Sequence, residues 1–296
     1  MTVSIIIPNL HSPLIGAVLD ALRAQTAVNR IREIVVVGLD RHGQVRPDAL
    51  VRMIDTGRPV SAPTARNRGA AETTGEHLLF VDADCVLAPD AVGLMLDAAE
   101  QGYAALVGGV VPDDEQYWVH ASNLMTFPEY LTLDAPGERG SLPSFCMLVA
   151  RDALEKVGGF DESYHPTAED LDLCFRLRRL GYRLGCEPRA AVRHRSTRAT
   201  PGAVWRQHIQ YGWGYYRIQH SYPDIVGSSE AVWVADHMPR LLPPLAVPIA
   251  VAFVMRLLLR RPAMRRFWRA VPGMIWTRLA WYEGFRMAAQ TARGAR

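Results

Sequence analysis

The chain carries two carboxylates, Asp82 and Asp84, one residue apart and directly behind the apolar run His77-Leu78-Leu79-Phe80-Val81. If that run is a strand, both side chains leave the carboxyl edge of a sheet, where open α/β folds bind their ligands. Neighbouring anions repel unless a cation joins them. A divalent metal that also holds a diphosphate meets that need, because hard cations take a few carboxylates and complete their shell with phosphate oxygens. The plainer reading is a solvated acidic turn ahead of the helix that Pro89 starts. A second group comprises Gly158-Gly159-Phe160-Asp161-Glu162 and then Glu169-Asp170, at the head of a segment with Leu171, Phe175 and Leu177 on its apolar face. Acids in a first helical turn are what the helix dipole favours. A glycine turn, an acidic loop and paired carboxylates at one helix end also suit the presentation of one carboxylate to a substrate hydroxyl as a general base.

These residues need a scaffold, and the flanking pattern supplies one. Val3 to Ile7, closed by Pro8, and Glu33 to Val37 are unbroken apolar runs, as expected of strands covered on both faces in a parallel sheet. Between them Ser12-Pro13 supplies a helix cap and first position, and Leu14, Ile15, Val18, Leu19 and Leu22 recur at helical spacing. A short segment near Pro59-Val60, a helix over about 63–74 stopped at Gly75, the strand 77–81, a helix from Pro89 to near Gly102 and a buried strand over 104–111 continue the alternation. The expectation is a doubly wound α/β half with a mostly parallel central sheet. Over residues 112–142 the pattern dissolves, and a connection of that length is usually functional. A strand at 145–150, a helix at 152–157, a helix over about 169–180 ended by Gly181, and two short strands at 182–186 and 190–194 follow.

The 296 residues are enough for one large or two intimate domains, and 49% hydrophobic with 21% charged residues excludes disorder and collagen. The net charge of +3 is unevenly spread: residues 241–296 hold ten Arg, no Lys and the single acid Glu283, a local +9 that leaves −6 for residues 1–240. An acidic body with a basic tail implies two surfaces with two partners. Cys85, Cys146, Cys174 and Cys186 lie far apart without CxxC spacing, in a chain opening on MTVSIIIP, and read as reduced cytosolic thiols.

The segments SIIIPN (4–9), EIVVV (33–37), ARNRGAAETTGEHLLFVDADC (65–85), GGFDESY (158–164), AEDLDLCFRLRRLGYRL (168–184) and AVRH (191–194), in that order and spacing, resemble family 2 glycosyltransferases of the GT-A fold over roughly residues 3–200. The resemblance implies a Rossmann-like sheet and an inverting, nucleotide-sugar-dependent transferase using Mn2+ or Mg2+. It implies that Pro8 and Asn9 lie under the nucleotide, and that Arg66 and Asn67 approach its ribose or diphosphate. Asp82 would meet the ribose and metal, Asp84 would be the direct metal ligand, and His194 would match a downstream metal ligand found in a subset of such enzymes. Asp170 matches the general base, with Glu169 as an assisting carboxylate. Gly159 and Phe160 fall where the acceptor binds. Where the family often has two acids and a glycine after the second strand, this chain runs Val37-Gly38-Leu39-Asp40. Asp40 is either shifted into contact with the base or is a turn aspartate before Arg41-His42-Gly43. His194, flanked by Arg193 and Arg195, has a surface role as its alternative.

Residues 205–240 are aromatic-rich and helical in pattern; Trp213 is either a sugar-stacking ring or part of an amphipathic helix packed through its aromatics. Residues 241–255 are apolar but hold Pro243, Pro244 and Pro248, short of the roughly twenty residues that a span needs. The arginines and tryptophans beyond them suit a segment lying in an anionic membrane surface. A packed helical subdomain or a homodimer contact is the alternative, and nucleic acid ranks below both. The expected organisation is a nucleotide-sugar-binding half (1–111), an acceptor-binding half (112–204), the helical segment (205–240) and the basic apolar tail (241–296). The expected place is the cytoplasmic face of a membrane. The implied acceptor is a lipid-linked or cell-envelope saccharide. Polyprenyl phosphate, a soluble small molecule, or a catalytically silent binding role are the alternatives, and a uridine diphosphate donor is the default.

Overall fold

The computed structural model describes residues 1–112, 115–227, 229–238 and 241–294, which form two units. The first comprises Met1–Val111, Glu129–His165 and Glu169–Arg195, and the second Pro112–Pro128, Pro166–Ala168 and Ser196–Arg296. Residues 112–128 fold with the helical unit, and that unit resumes at 196.

The first unit begins β1 (Val3–Leu10), α1 (Ile15–Arg23), β2 (Ile31–Leu39), β3 (Val51–Asp55), α2 (Ala62–Ala71), β4 (His77–Val81), β5 (Cys85–Leu87), α3 (Ala91–Ala99) and β6 (Ala105–Val110). The helix α4 (Tyr117–Thr126) belongs to the second unit. The chain then returns for β7 (Gly137–Glu138), β8 (Cys146–Ala150), α5 (Arg151–Lys156), α6 (Glu169–Arg179) and β9 (Leu184–His194). The strands form one sheet in the order β3-β2-β1-β4-β8-β6-β9-β5, with β7 on β9. Parallel pairing holds from β3 to β4, but β8 runs antiparallel to both β4 and β6, so the far half is mixed. Val3, Ile5, Ile6 and Ile7 of β1 and Leu78 to Val81 of β4 have no exposed surface, as strands covered on both faces must.

Several elements differ from the sequence pattern. β3 carries too little alternation in Val51-Arg52-Met53-Ile54-Asp55 to stand out, and forms because β2 offers it a parallel edge. α4 lies within the stretch that looked irregular. The two strands expected at 182–186 and 190–194 are one strand, β9, whose register against β6 shifts so that Gly108 faces Glu187 and Gly109 faces Ala191. Pro188, which has no amide hydrogen to donate, sits in that bulge. Helix α1 starts at Ile15 rather than Pro13. Ser12 instead accepts from the Leu14 amide (3.2 Å) and donates to the Ala83 carbonyl (2.7 Å), which ties the loop after β1 to the Asp82–Asp84 turn.

The second unit continues with α7 (Pro201–Ser221), α8 (Pro223–Val226), α9 (Glu230–His237), α10 (Leu242–Arg260) and, after a 3-10 segment over Pro262–Ala270, α11 (Val271–Gly294). Its core joins Tyr216 of α7, Ala235 of α9, Leu242 and Ala250 of α10, and Phe285 and Ala289 of α11. α10 is longer than the apolar run suggested. Pro243 and Pro244 fall in its first turn, where a missing amide hydrogen costs little, and the helix carries through Pro248 and Arg256 to Arg260. It buries Leu242, Ala246, Ala250 and Val254, a stripe at fourfold spacing, while Leu245, Val247, Val251, Met255 and Leu259 on other faces are 40–65% exposed. Its 19 residues are long and apolar enough to cross a membrane by length and composition.

Candidate active site

The centre of the site is Arg66, carried on α2, whose first turn is capped by Ser61 through the Thr64 amide. Its guanidinium is almost wholly buried. Nη1 donates to Glu169 Oε1 (2.6 Å) and Nη2 to Asp82 Oδ1 (2.9 Å), so one cation links the end of β4 to the head of α6. Burial works against this charge, but Asp82 and Glu169, with Asp170 beyond, more than offset it and hold the guanidinium more firmly charged than an ordinary arginine. The three acids are pushed the other way. Burial raises Asp82, helped by Asp84 and opposed by Arg66. Burial and the charge of Asp170 raise Glu169, again against Arg66, and burial raises Asp170. Three carboxylates around one guanidinium leave a negative excess that favours bound protons or a second cation.

Asp170 is held by backbone donors. Its Oδ2 accepts from the Ser144 amide (3.1 Å) and its Oδ1 from the Leu171 amide (2.8 Å), and unlike Glu169 it keeps some exposure. These bonds fix the carboxylate's direction at the helix head and stabilise its charged form.

The glycine turn is clamped from α2. Asn67 Oδ1 accepts from the Phe160 amide (2.8 Å), while Nδ2 donates to the Phe160 carbonyl (2.8 Å) and to Glu162 Oε1 (3.0 Å). Thr64 Oγ1 donates to Glu162 Oε2 (2.6 Å). Gly159 has φ +77, and a Cβ there would lie 2.8 Å from Asn67 Oδ1, so both backbone and space demand glycine. Phe160 is buried edge-on against Phe80 (5.0 Å), with Arg66 over its ring (5.4 Å). It supports the arginine from below.

The second cluster forms where β5 pairs with β9. Cys85 and His194 are register partners, and the Arg195 amide donates to the Asp84 carbonyl (2.9 Å). His194 Nε2 thereby lies 3.8 Å from Asp84 Oδ1, and one ligand atom from each of Asp84, Cys85 and His194 falls within 4.8 Å of the others. A carboxylate and an imidazole fit a hard or borderline divalent ion that completes its shell with water and phosphate oxygens. The Cys85 thiol is a poor member of that set, because burial and the Asp84 charge push its ionisation well up. All four cysteines are free and buried.

The remaining candidates separate. Asn9 is buried and fastens backbone: its Nδ2 donates to the Leu39 carbonyl (2.9 Å) and its Oδ1 accepts from the Ser12 amide (3.1 Å), while Pro8 stands beside Val37 in the β1–β2 register. Asp40 accepts from the Val45 amide (2.7 Å) and the His42 amide (3.2 Å), and so closes its own turn. The glycine at 38 is obligatory, since its φ is +137 and a Cβ would meet the Asn9 carbonyl oxygen. Arg66 and Asn67, expected against ribose or diphosphate, bond to Glu169, Asp82 and the glycine turn, and Arg66 Nε is buried without a partner among the described residues. Trp213 lies in the helical unit, packed against its aromatic core. The parts that motif reading missed are the Ser144 amide and the Thr64–Glu162 bond, neither of which has a sequence signature of its own.

The profile for glycosyl transferase family group 2 matches residues 77–286, which takes in the Asp82–Asp84 turn, Glu169-Asp170 and His194. The chain belongs to that family. Among curated relatives, the O-antigen biosynthesis protein RfbC of Myxococcus xanthus is 25% identical over 221 residues, covering 65% of this chain and 17% of the relative. The N-acetylglucosaminyl-diphospho-decaprenol L-rhamnosyltransferase of Mycobacterium tuberculosis is 29% identical over 185 residues, 51% of this chain and 60% of the relative. The chain thus spans less than two thirds of either relative's length. Among solved structures, the mannosyltransferase PcManGT from Pyrobaculum calidifontis, in complex with GDP-Man and Mn2+, superposes with a TM-score of 0.67 at 19% identity, over 98% of this chain and 87% of that one. That likeness establishes the GT-A fold for this family member.

Proposed function

We propose that this family member is an inverting glycosyltransferase that moves a sugar from a nucleotide-diphosphate sugar to a hydroxyl. The observation that carries the reading is the convergence of Asp82, Glu169 and Asp170 on the buried Arg66, with Asp84 and His194 paired across β5 and β9. Asp84 and His194 are the residues that would hold a divalent cation, with Asp82 beside them. The Pyrobaculum neighbour was solved with Mn2+. Such an ion, Mn2+ or Mg2+, supplies charge neutralisation for the departing diphosphate. Arg66 fixes the direction of Asp82 and Glu169, and its bond to Asp82 Oδ1 leaves Oδ2 for a ribose hydroxyl or the ion. Asp170, aimed by the Ser144 and Leu171 amides, accepts the proton of the acceptor hydroxyl as that oxygen attacks the anomeric carbon. Its raised pKa makes it a better base than a solvated aspartate, and direct displacement needs no covalent nucleophile.

A lipid-linked or cell-envelope saccharide is the acceptor we favour. The exposed apolar face of α10, with exposed Arg256, Arg260, Arg265, Arg266 and Arg269 and the 65% exposed Trp268, has the chemistry of a segment seated in an anionic leaflet. The names of the Myxococcus and Mycobacterium relatives point to the same class of acceptor.

Calorimetric titration of uridine, thymidine and guanosine diphosphates, with and without manganese, tests the donor site. One nucleotide binds in a metal-dependent way to the wild type and loses that dependence in Asp84→Ala. Binding that ignores both metal and mutation overturns the assignment. Asp170→Asn keeps donor binding and loses about 10²–10⁴-fold in turnover. If wild type and variant both bind donor and neither turns over any saccharide acceptor, the chain is a binding protein on this fold.

A further inference from the structure

Most buried or half-buried arginines here meet a carboxylate: Arg66 meets Glu169 and Asp82, Arg176 meets Asp172, and Arg286 meets Glu283. Arg278 of α11 does not. Its guanidinium carbon lies 3.7 Å from the ring centre of Trp281, 3.8 Å from Phe253 and 4.9 Å from Tyr282, and its Nε donates to the Tyr282 hydroxyl (3.1 Å). No acid among the described residues acts on it, and burial lowers its pKa. A second donor at the same place is unmatched: the Trp281 Nε1–H is buried without an acceptor among the described residues. Cation–π contact compensates a desolvated guanidinium only in part, and it leaves the in-plane N–H donors unmatched.

Unmatched donors on a planar cation, without an acid beside them, are what a phosphate group needs, since guanidinium matches its oxygens in pairs. The surroundings narrow the ligand. Phe253 belongs to α10, whose Leu245, Val247 and Val251 are exposed. Tyr282, which accepts the Arg278 bond, also lines a hollow walled by Trp205, Leu242, Ala246 and Leu279 and edged by Glu283, which is paired with Arg286. A phosphate site adjoining a mostly apolar hollow, whose one acid is already paired with Arg286, and an exposed apolar helix suits an amphiphile better than a soluble anion.

We propose that Arg278, within Phe253, Trp281 and Tyr282, anchors the phosphate of a lipid phosphate or diphosphate whose hydrocarbon chain lies along α10. This deepens the functional reading above and rests on its lipid-linked acceptor. The competing role is a purely structural one, in which Arg278 fastens α10 to α11 by stacking alone.

The test is flotation of the full chain with phosphatidylcholine vesicles that carry a few mole per cent of a polyprenyl phosphate. The comparison vesicles carry equal charge as phosphatidylglycerol, which the exposed arginines bind equally well. The wild type is expected to bind the polyprenyl phosphate vesicles about tenfold more tightly, the scale of one charge-assisted contact. Arg278→Gln loses that preference and keeps the phosphatidylglycerol level, and Arg278→Lys keeps part of it. Trp281→Phe keeps the stacked ring, removes the N–H and weakens the preference, which covers the case in which Arg278→Gln fails to fold. A preference absent from the wild type, or retained by a folded Arg278→Gln of lowered melting temperature, overturns the proposal in favour of the fastening role. Full competition by inorganic pyrophosphate, with no advantage for the lipid, overturns the lipid assignment. Sugar transfer to a soluble acceptor is measured in parallel. If transfer occurs without a lipid preference, only the Arg278 site fails. If an Arg278-dependent preference occurs without any transfer, the enzymatic reading fails.

Discussion

Replacing Arg66 with methionine tests the electrostatic centre directly, because the side chain keeps similar bulk and loses the charge. In the native chain that charge serves Glu169, which is 7% exposed, and Asp82, whose side chain is 34% exposed. Breaking a buried pair costs about 3–5 kcal/mol, mostly because the remaining carboxylate is left uncompensated. The partial exposure of Asp82 places the expected loss near the lower end, about 3–4 kcal/mol. For a unit of this size each kcal/mol moves the midpoint by about 2–4 °C, so melting falls by about 6–16 °C. The pH dependence sharpens the test. Both acids have folded-state pKa values above their ordinary ones, and removal of Arg66 raises them further. A carboxylate with a raised folded pKa favours the native state at low pH and loses that contribution as pH rises through the folded value. The gap in melting temperature between wild type and Arg66→Met is therefore widest near pH 8 and narrows towards pH 5. Differential scanning fluorimetry across that range reads it. A gap below about 1 °C, or one of constant size, would show that Arg66 is not compensating these carboxylates.

Other expectations follow from single contacts. Gly159→Ala places a Cβ against Asn67 Oδ1 at a φ of +77, which costs about 1–3 kcal/mol and loosens the turn that holds Phe160, read as a lower chemical-denaturation midpoint. His208, buried against Ser122 Oγ (2.9 Å), is held neutral by burial and by the charge of Arg278, with its pKa lowered to about 3. The unfolded chain takes up that proton below its ordinary value near 6.5, so stability rises with pH between about 3 and 6.5 and is level above. His208→Gln removes this slope of about 1.4 kcal/mol per pH unit, and an unchanged slope refutes the assignment. Cys85→Ser leaves metal-dependent nucleotide binding within about twofold of wild type, because a thiol held protonated is no ligand; a loss beyond tenfold makes Cys85 one.

The fold of the first unit was legible where burial is complete. β1, β2 and β4 announce themselves by unbroken apolar runs, and the carboxylates follow β4 as the motif requires. What stayed hidden depends on partners distant in sequence. β3 is defined by the edge of β2, and β9 reads as two strands because its bulge contains a proline. α4 belongs to a helical unit whose other members lie far downstream. In the site, the motifs pick out residues, while the contacts those residues make within the protein come only from the fold. Arg66 and Asn67, expected at the donor, hold the carboxylates and the glycine turn in place, which no motif announces. Phe160, expected at the acceptor, packs beneath Arg66 and against Phe80. Sequence fixes which side chains are polar, whereas the direction each one points is decided by packing.

Arg66 meets Glu169 across 103 positions of chain, and Asp84 meets His194 across a still longer interval. At synthesis rates of about 5–20 residues per second, the arginine emerges some 5–20 s before its first carboxylate partner on α6. The strand that delivers His194 is the last of its sheet to be made. Until then the nascent chain holds Asp82, Asp84 and, once α6 is made, Asp170, but not the imidazole of His194. Completion of the sheet and the pairing of Asp84 with His194 are therefore one event in the life of this protein. A truncated translation product ending before β9 would carry Asp82 and Asp84 without the histidine that meets Asp84.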